Sequence, residues 1–231
     1  MSTTALSFSP LLLSYLSELA EHNERDWFNA NKLRYEGLLK EPALRFIADF
    51  EPHLRAISPH FEAIAKAQGG SLFRIYRDTR FGHDKRPYKS HVGIHFRHET
   101  GGDAHAPGFY LHIEPGASML GMGVWMAEPA GLRGVRDHIV AEPARWGELR
   151  DGLLGDGFSL YQGDGDLKRV PAGYPADHPH AADLKRKSHA AMFKLTDAEV
   201  VGPGLLERCA DLYGRGAPWM AFLCEAVGVA F

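Results

Sequence analysis

Residues 74–98, RIYRDTRFGHDKRPYKSHVGIHFRH, concentrate the side chains best suited to chemistry. Arg74, Arg77, Arg80, Lys85, Arg86, Lys89 and Arg97 fall within 24 residues, against only Asp78 and Asp84. The window is net +5 in a chain of formal charge −3, so the remainder sums to −8. Arginine forks and lysine ammonium groups are the side chains that hold phosphate and carboxylate. The spacing therefore points to an anion site drawing on Arg74, Arg77, Arg80, Lys85, Tyr88 and Lys89, with Glu114, Gly121 and Gly123 expected around the same cavity. The competing expectation is that the cations pair with local carboxylates and brace a long loop. Asp78, Asp84 and Glu114 are the acid–base candidates. Cations beside them favour the ionised form, which suits an electrostatic or ligand-orienting role better than a general base near neutrality.

Other chemistries are less well supplied. His95, His112 and Glu114 share one strand face, and two imidazoles with a carboxylate can hold zinc or iron. Thirteen histidines make such coincidences common, and there is no HExxH, so no metal is expected. There is no G-x-S-x-G elbow and no Walker or Rossmann glycine loop, which leaves no cofactor assigned. A second basic group, Lys168, Arg169, Lys185, Arg186 and Lys187 against Asp177 and Asp183, either folds back over the first or forms a solvated surface.

These residues need a scaffold. Apolar residues recur at helical spacing over 10–35 (with Asn23 or Asp26 available to cap a second helix) and again from Pro42 to about Pro59. Between 71 and 126 the period changes to two. LFRIYR, HVGIHFRH, GFYLHIEP and MLGMGVWM read as strands near 72–77, 91–97, 109–114 and 119–125, and without long intervening helices they pair antiparallel. Phe73, Ile94, Leu111 and Val124 fall on the face that helices cover. The other parity carries Tyr76, His91, His95, Tyr110, His112, Glu114 and Trp125, with Gly93, Gly121 and Gly123 clearing space for a ligand. Helices follow at 132–140 and 143–154. FSLYQGDGDLKRV reads as a hairpin turning at 163–166, where the aspartates lack calcium-loop spacing, and two helices close the chain near 203–214 and 217–228.

The expected fold is one α+β domain over 1–231, with a central antiparallel sheet, helices packed on one face and a polar opposite face. Its parts are a helical stretch at about 8–66, the sheet at about 71–126, and helices with a hairpin at about 131–231. No apolar run approaches the roughly 18 residues of a membrane helix, and the N-terminal stretch lacks a signal peptide's basic start. Cys209 and Cys224, outside any CxxC, read as buried thiols, which fits the cytoplasm.

WFNANKLRYE (27–36), the 74–98 window, PGFYLHIEPGASMLGMGVW (107–125) and LKRVPAGYPADHP (167–179) together resemble the family catalogued as domain of unknown function 2461. The resemblance spans nearly the whole chain in order. It includes the R-D-T-R-F and K-x-P-Y-K elements, here Arg77 to Phe81 and Lys85 to Lys89. It implies a single-domain soluble protein of bacteria and fungi, with no activity attached. Many relatives carry a histidine where Met126 stands here, which counts further against a histidine metal centre. The reading that results is a binding protein or enzyme for a small anionic ligand, phosphorylated ones included. A nucleic-acid module stacking bases on Tyr76, Tyr88, Tyr110 and Trp125 is the first alternative, and a structural or interaction protein the second. Localised charge on an acidic chain favours the small ligand, and no membrane partner is expected.

Overall fold

The structure, a computed structural model, describes residues 6–80, 84–101, 106–163 and 165–231. Phe81 and Asp164 lie outside the described residues. Ser9 opens the first helix, its hydroxyl accepting from the Leu11 N–H at 3.3 Å while Pro10 fills the first turn. This helix, α1 (Pro10–Glu21), buries Leu12, Tyr15, Leu16 and Leu19 on one stripe. The helical stretch expected over 10–35, with Asn23 or Asp26 available to cap a second helix, is broken at His22. It resumes as α2 (Arg25–Ala30), α3 (Lys32–Arg34) and a π-helical turn, Tyr35–Lys40, that leads into α4 (Glu41–Ile57). Asn23 caps nothing. Its amide donates to the Tyr88 carbonyl at 3.1 Å and accepts the Tyr88 N–H at 3.0 Å. Tyr88 faces Tyr76 across an antiparallel bridge, and its own N–H and C=O are taken up by the asparagine amide in place of a further backbone neighbour.

One six-stranded sheet follows, built from β1 (Phe61–Glu62), β2 (Val92–His98), β3 (Gly108–Ile113), β4 (Met119–Val124), β5 (Ser159–Leu160) and β6 (His189–Lys194). The order is β1-β2-β3-β4-β6-β5, antiparallel throughout. Val92, Ile94, Phe96, Phe109, Leu111, Ile113, Leu120, Met122 and Val124 are buried against helices, as the period-two pattern requires. The remaining helices are α5 (Pro129–Ala141), α6 (Pro143–Gly155), α7 (Ala181–Leu184), α8 (Asp197–Val201), α9 (Leu205–Arg215) and α10 (Ala217–Val227). Phe50 of α4 stacks on Phe96 at 5.0 Å, and Tyr213 of α9 meets Phe109 at 4.9 Å. Trp146 of α6 packs on Trp219 of α10 at 4.6 Å. Burying side chains of this size contributes about 2 kcal/mol or more each, so this is where stability concentrates. No helix among the described residues is long and apolar enough to cross a membrane.

Two expected elements are corrected. Residues 72–77 form no named strand and contribute only the bridges Leu72↔Ile94 and Tyr76↔Tyr88. Phe73 pairs with β2, donating its N–H to the Gly93 carbonyl, whereas Ile75 and Arg77 pair with 87–89. Because the partner changes between Phe73 and Ile75, parity is not carried through. Ile75 is buried, but Phe73 is 38% exposed and lies over Gly93 on the face opposite the core. Among the described residues no strand pairing joins the two arms of the hairpin expected at 158–170. Asp166 N–H does bond the Gly163 carbonyl, but β5 pairs with β6, whose Ala191 and Met192 stand opposite Leu160 and Ser159. Its alanines blur the alternation that would have marked β6 as a strand.

Candidate functional site

Helices cover one face of the sheet and leave part of the other open. On that open face lies a groove of about 390 Å³, walled by Phe73, Tyr110, Met119, Trp125, Tyr161 and Met192. Its floor includes Gly121, where an added Cβ would meet no atom nearer than 3.7 Å. The space above Gly121 is the groove itself. Gly123 serves the backbone instead, with φ at +133° and the His189 carbonyl where a Cβ would stand. Trp125 and Tyr161 meet at 4.3 Å and close one end. Met126, next along, takes φ +45°, uncommon for a residue with a side chain, and donates its N–H to Ser188 Oγ at 2.9 Å.

His112 marks the other end. Its Nδ1 lies 3.1 Å from the Tyr110 hydroxyl and its Nε2 2.9 Å from Glu114 Oε2. The His91 ring packs 4.4 Å from that of His112, and ligand atoms of His91, His112 and Glu114 all lie within 4.8 Å of one another. Gly93 stands opposite His112 in the register, and a Cβ there would come 2.9 Å from the Tyr110 hydroxyl. The glycine thus clears the path by which Tyr110 reaches His112. Burial, with His112 beside it, pushes His91 down to about 4, while burial and then Glu114 push Tyr110 up to about 12. His95, the expected companion of His112, is not part of this cluster. It pairs across the sheet with Tyr110 and packs against Gly108, and burial pushes it down to about 4.

The cations of the 74–89 strap are mostly engaged within it. Arg80 grips Asp78 through Nε at 3.0 Å and Nη2 at 2.7 Å, and Arg86 grips Asp84 in the same way, with Nη2 at 2.7 Å. Arg77 reaches Asp84 at 2.9 Å. These hydrogen bonds hold both carboxyls well below the usual carboxylate range. Lys85 caps the Thr79 carbonyl at 2.8 Å. Lys89 donates to the Arg74 carbonyl at 3.0 Å, and its ammonium lies 5.2 Å from the centre of the Phe73 ring. Desolvation, then Arg74 and Arg77, lower its pKa. The convergence expected of Arg74, Lys85 and Lys89 with Glu114 and the Gly121–Gly123 floor around one cavity does not occur. The groove wall holds the glycines but neither Glu114 nor any of these cations. An aspartate two residues before an arginine can close a ring on its own loop, and that local geometry takes up Arg80 and Arg86. Arg77 and Tyr88 line a separate pocket of about 340 Å³ with Arg25, Asn29, Tyr76 and Thr79.

A family model described as "Conserved hypothetical protein (DUF2461)" matches residues 12–222. The chain belongs to that family. The match spans every site residue above, in agreement with the resemblance seen in the sequence. No match was found among curated proteins or solved structures.

In this DUF2461 protein the second basic group is no solvated patch around Asp183. Buried Asp183 accepts from Trp146 Nε1 at 2.9 Å, Arg186 Nε at 3.1 Å and Arg150 Nη1 at 3.2 Å. Burial by itself would raise its pKa, but the bonds from Trp146 and Arg186 outweigh that and lower it. Arg186 also donates to the Tyr161 carbonyl, tying the network to the groove wall. Lys168 and Arg169 are exposed. Sequence reasoning placed His91 on the open face but not beside His112, and it missed Phe73, Tyr161 and Met192 as wall residues. The β2–β3 register was the signal for the first. With Gly93 opposite His112 and Val92 opposite Ile113, His91 comes next to Glu114, four residues from Tyr110, where His95 pairs.

Proposed function

We propose that this DUF2461 protein binds a small molecule with an apolar, ring-sized body and an anionic head. The body would occupy the groove and the head would meet Lys89 at the Phe73 edge. The observation that carries this is the groove itself: about 390 Å³, walled by four aromatic rings and two methionines over a glycine floor, on the face that helices leave open. Small-molecule sites are concave, mostly apolar and of roughly this size or larger, with a few polar groups setting orientation. The desolvated Lys89 ammonium and the His112 imidazole are such groups. The test is titration of aryl and alkyl carboxylates, with their neutral amides as controls, followed by fluorescence of Trp125, which is 40% exposed. Binding of carboxylates should be lost in Gly121→Leu, whose side chain fills the groove. In Lys89→Met it should weaken by about tenfold for carboxylates and not for amides, the size of a single screened charge contact. Unchanged binding in Gly121→Leu would refute the groove.

A second reading has its own observation, the pocket that brings Arg25 and Arg77 together with Asn29, Thr79 and two tyrosines. It suits a compact oxyanion such as a phosphate ester, and Arg25→Ala should abolish that binding where Gly121→Leu does not. Base stacking has weaker support. Tyr88 is buried against Phe28 at 4.1 Å and Tyr110 lies within the groove wall, leaving Tyr76 and Trp125 as exposed rings of the four.

A further inference from the structure

We infer that His91, His112 and Glu114 form a binding site for a divalent transition-metal ion of the zinc and iron(II) class. Two imidazole nitrogens and one carboxylate oxygen, all within 4.8 Å of one another, are a donor set that such an ion takes. Rigid elements carry all three. His112 and Glu114 project from the same face of β3 and its continuation, two residues apart, and His91 enters from the start of the neighbouring β2. The ring of His112 is already oriented for the task. With Nδ1 bonded to the Tyr110 hydroxyl, Nε2 is the nitrogen that faces Glu114, and an outer partner of this kind fixes the orientation of a ligating histidine. Gly93 supports that arrangement, because any larger residue there would crowd the Tyr110 hydroxyl.

The burial of the cluster also fits. All three residues are half-buried, close enough to the surface for an ion to enter and for water or a ligand to complete its coordination. Lys89 and Arg77 lie near enough to act on His91. Their charges oppose a bare cation, and they favour one whose open positions carry an anion. The other grouping of comparable composition, His138, Glu142 and Glu225, differs at this point. Arg145 occupies both of its carboxylates at 2.9 Å, so the positive charge that the cluster needs is already present.

The test uses the full chain without a histidine tag, stripped with chelator and titrated with Zn²⁺ by calorimetry and with Co²⁺ by visible absorption. One equivalent should bind, with cobalt bands of a nitrogen- and oxygen-ligated site. His112→Gln and His91→Gln should each weaken binding by about 100-fold, and Tyr110→Phe by about tenfold, the range seen when an outer partner of a ligand is removed. Glu114→Gln keeps the side-chain shape at a partly exposed position and should also weaken binding. Its metal-free melting temperature, matching wild type, separates loss of a ligand from loss of the fold. His138→Gln should bind normally. Absence of stoichiometric binding, or binding that survives His112→Gln and Glu114→Gln, overturns the inference. An added Cβ at Gly121 meets Tyr110 first, not the three ligands, so Gly121→Leu should lose the groove while retaining Co²⁺ at least as well as Tyr110→Phe, and the two sites are told apart.

Discussion

The strap at 74–89 and the segment around Asp183 are both dense in arginine and aspartate, yet they are held in opposite ways. In the strap, Asp78 is 40% exposed and its partner Arg80 75% exposed, each pair closing on a residue two positions away. Asp183 is 4% exposed and gathers Trp146, Arg150 and Arg186, which come from two stretches more than 30 residues apart. Exposed ion pairs contribute little, because water screens them and ordering two long side chains costs entropy. A buried carboxylate that loses its partners, or arginines that lose it, leave an uncompensated charge in a poor solvent. The strap is instead fixed by neutral contacts, the Asn23 amide on the Tyr88 backbone and the Phe28–Tyr88 stack.

The largest expected effect follows from the buried side of this contrast. Asp183→Asn keeps the volume but removes the charge that Arg186 and Arg150 share, and should destabilise the fold by on the order of 3 kcal/mol in urea melts. A wild-type midpoint would erase the distinction between the two regions. Acid should act on the same core at similar scale. His189 Nε2 lies 3.2 Å from the Asp183 carbonyl, and burial pushes its pKa down to about 4. In the unfolded chain it takes its proton near 6.5, so between those values the unfolded state binds more protons. Stability is therefore full above about pH 6.5 and falls as pH drops toward 4, by roughly 3 kcal/mol for this residue. Melts from pH 7 to 4 should show the loss, and His189→Gln should remove this residue's share of it, leaving the shares of His91 and His95, which burial also pushes down to about 4. Asn23→Ala is next. Losing both bonds to Tyr88 should cost about 1–2 kcal/mol and speed proteolysis within 74–89. The smallest effect belongs to the exposed pairs. Asp78→Ala should leave the melting temperature within about 2 °C of wild type at any ionic strength.

Much of the scaffold was legible because it depends on local periodicity. Three strands and most of the helices followed from alternation and from helical spacing, and each of those patterns is set by residues close in the chain. The site was legible only in composition. Gly121, His112, Tyr110 and Trp125 could be assigned to one face, but the wall also needs Phe73, whose parity is reversed by a change of partner, and Tyr161, delivered by a strand pair that crosses the chain from 160 to 191.

What the sequence by itself determined is the α+β class, the core face of β2, β3 and β4, the two closing helices and the DUF2461 membership. Tertiary structure decided which charges are taken up and which rings face a cavity. The physical reason is that side-chain period specifies a face, whereas register and strand order specify neighbours. Whether His112 stands beside His91 or His95, and whether an arginine meets a carboxylate two residues away or one thirty residues off, is a property of neighbours.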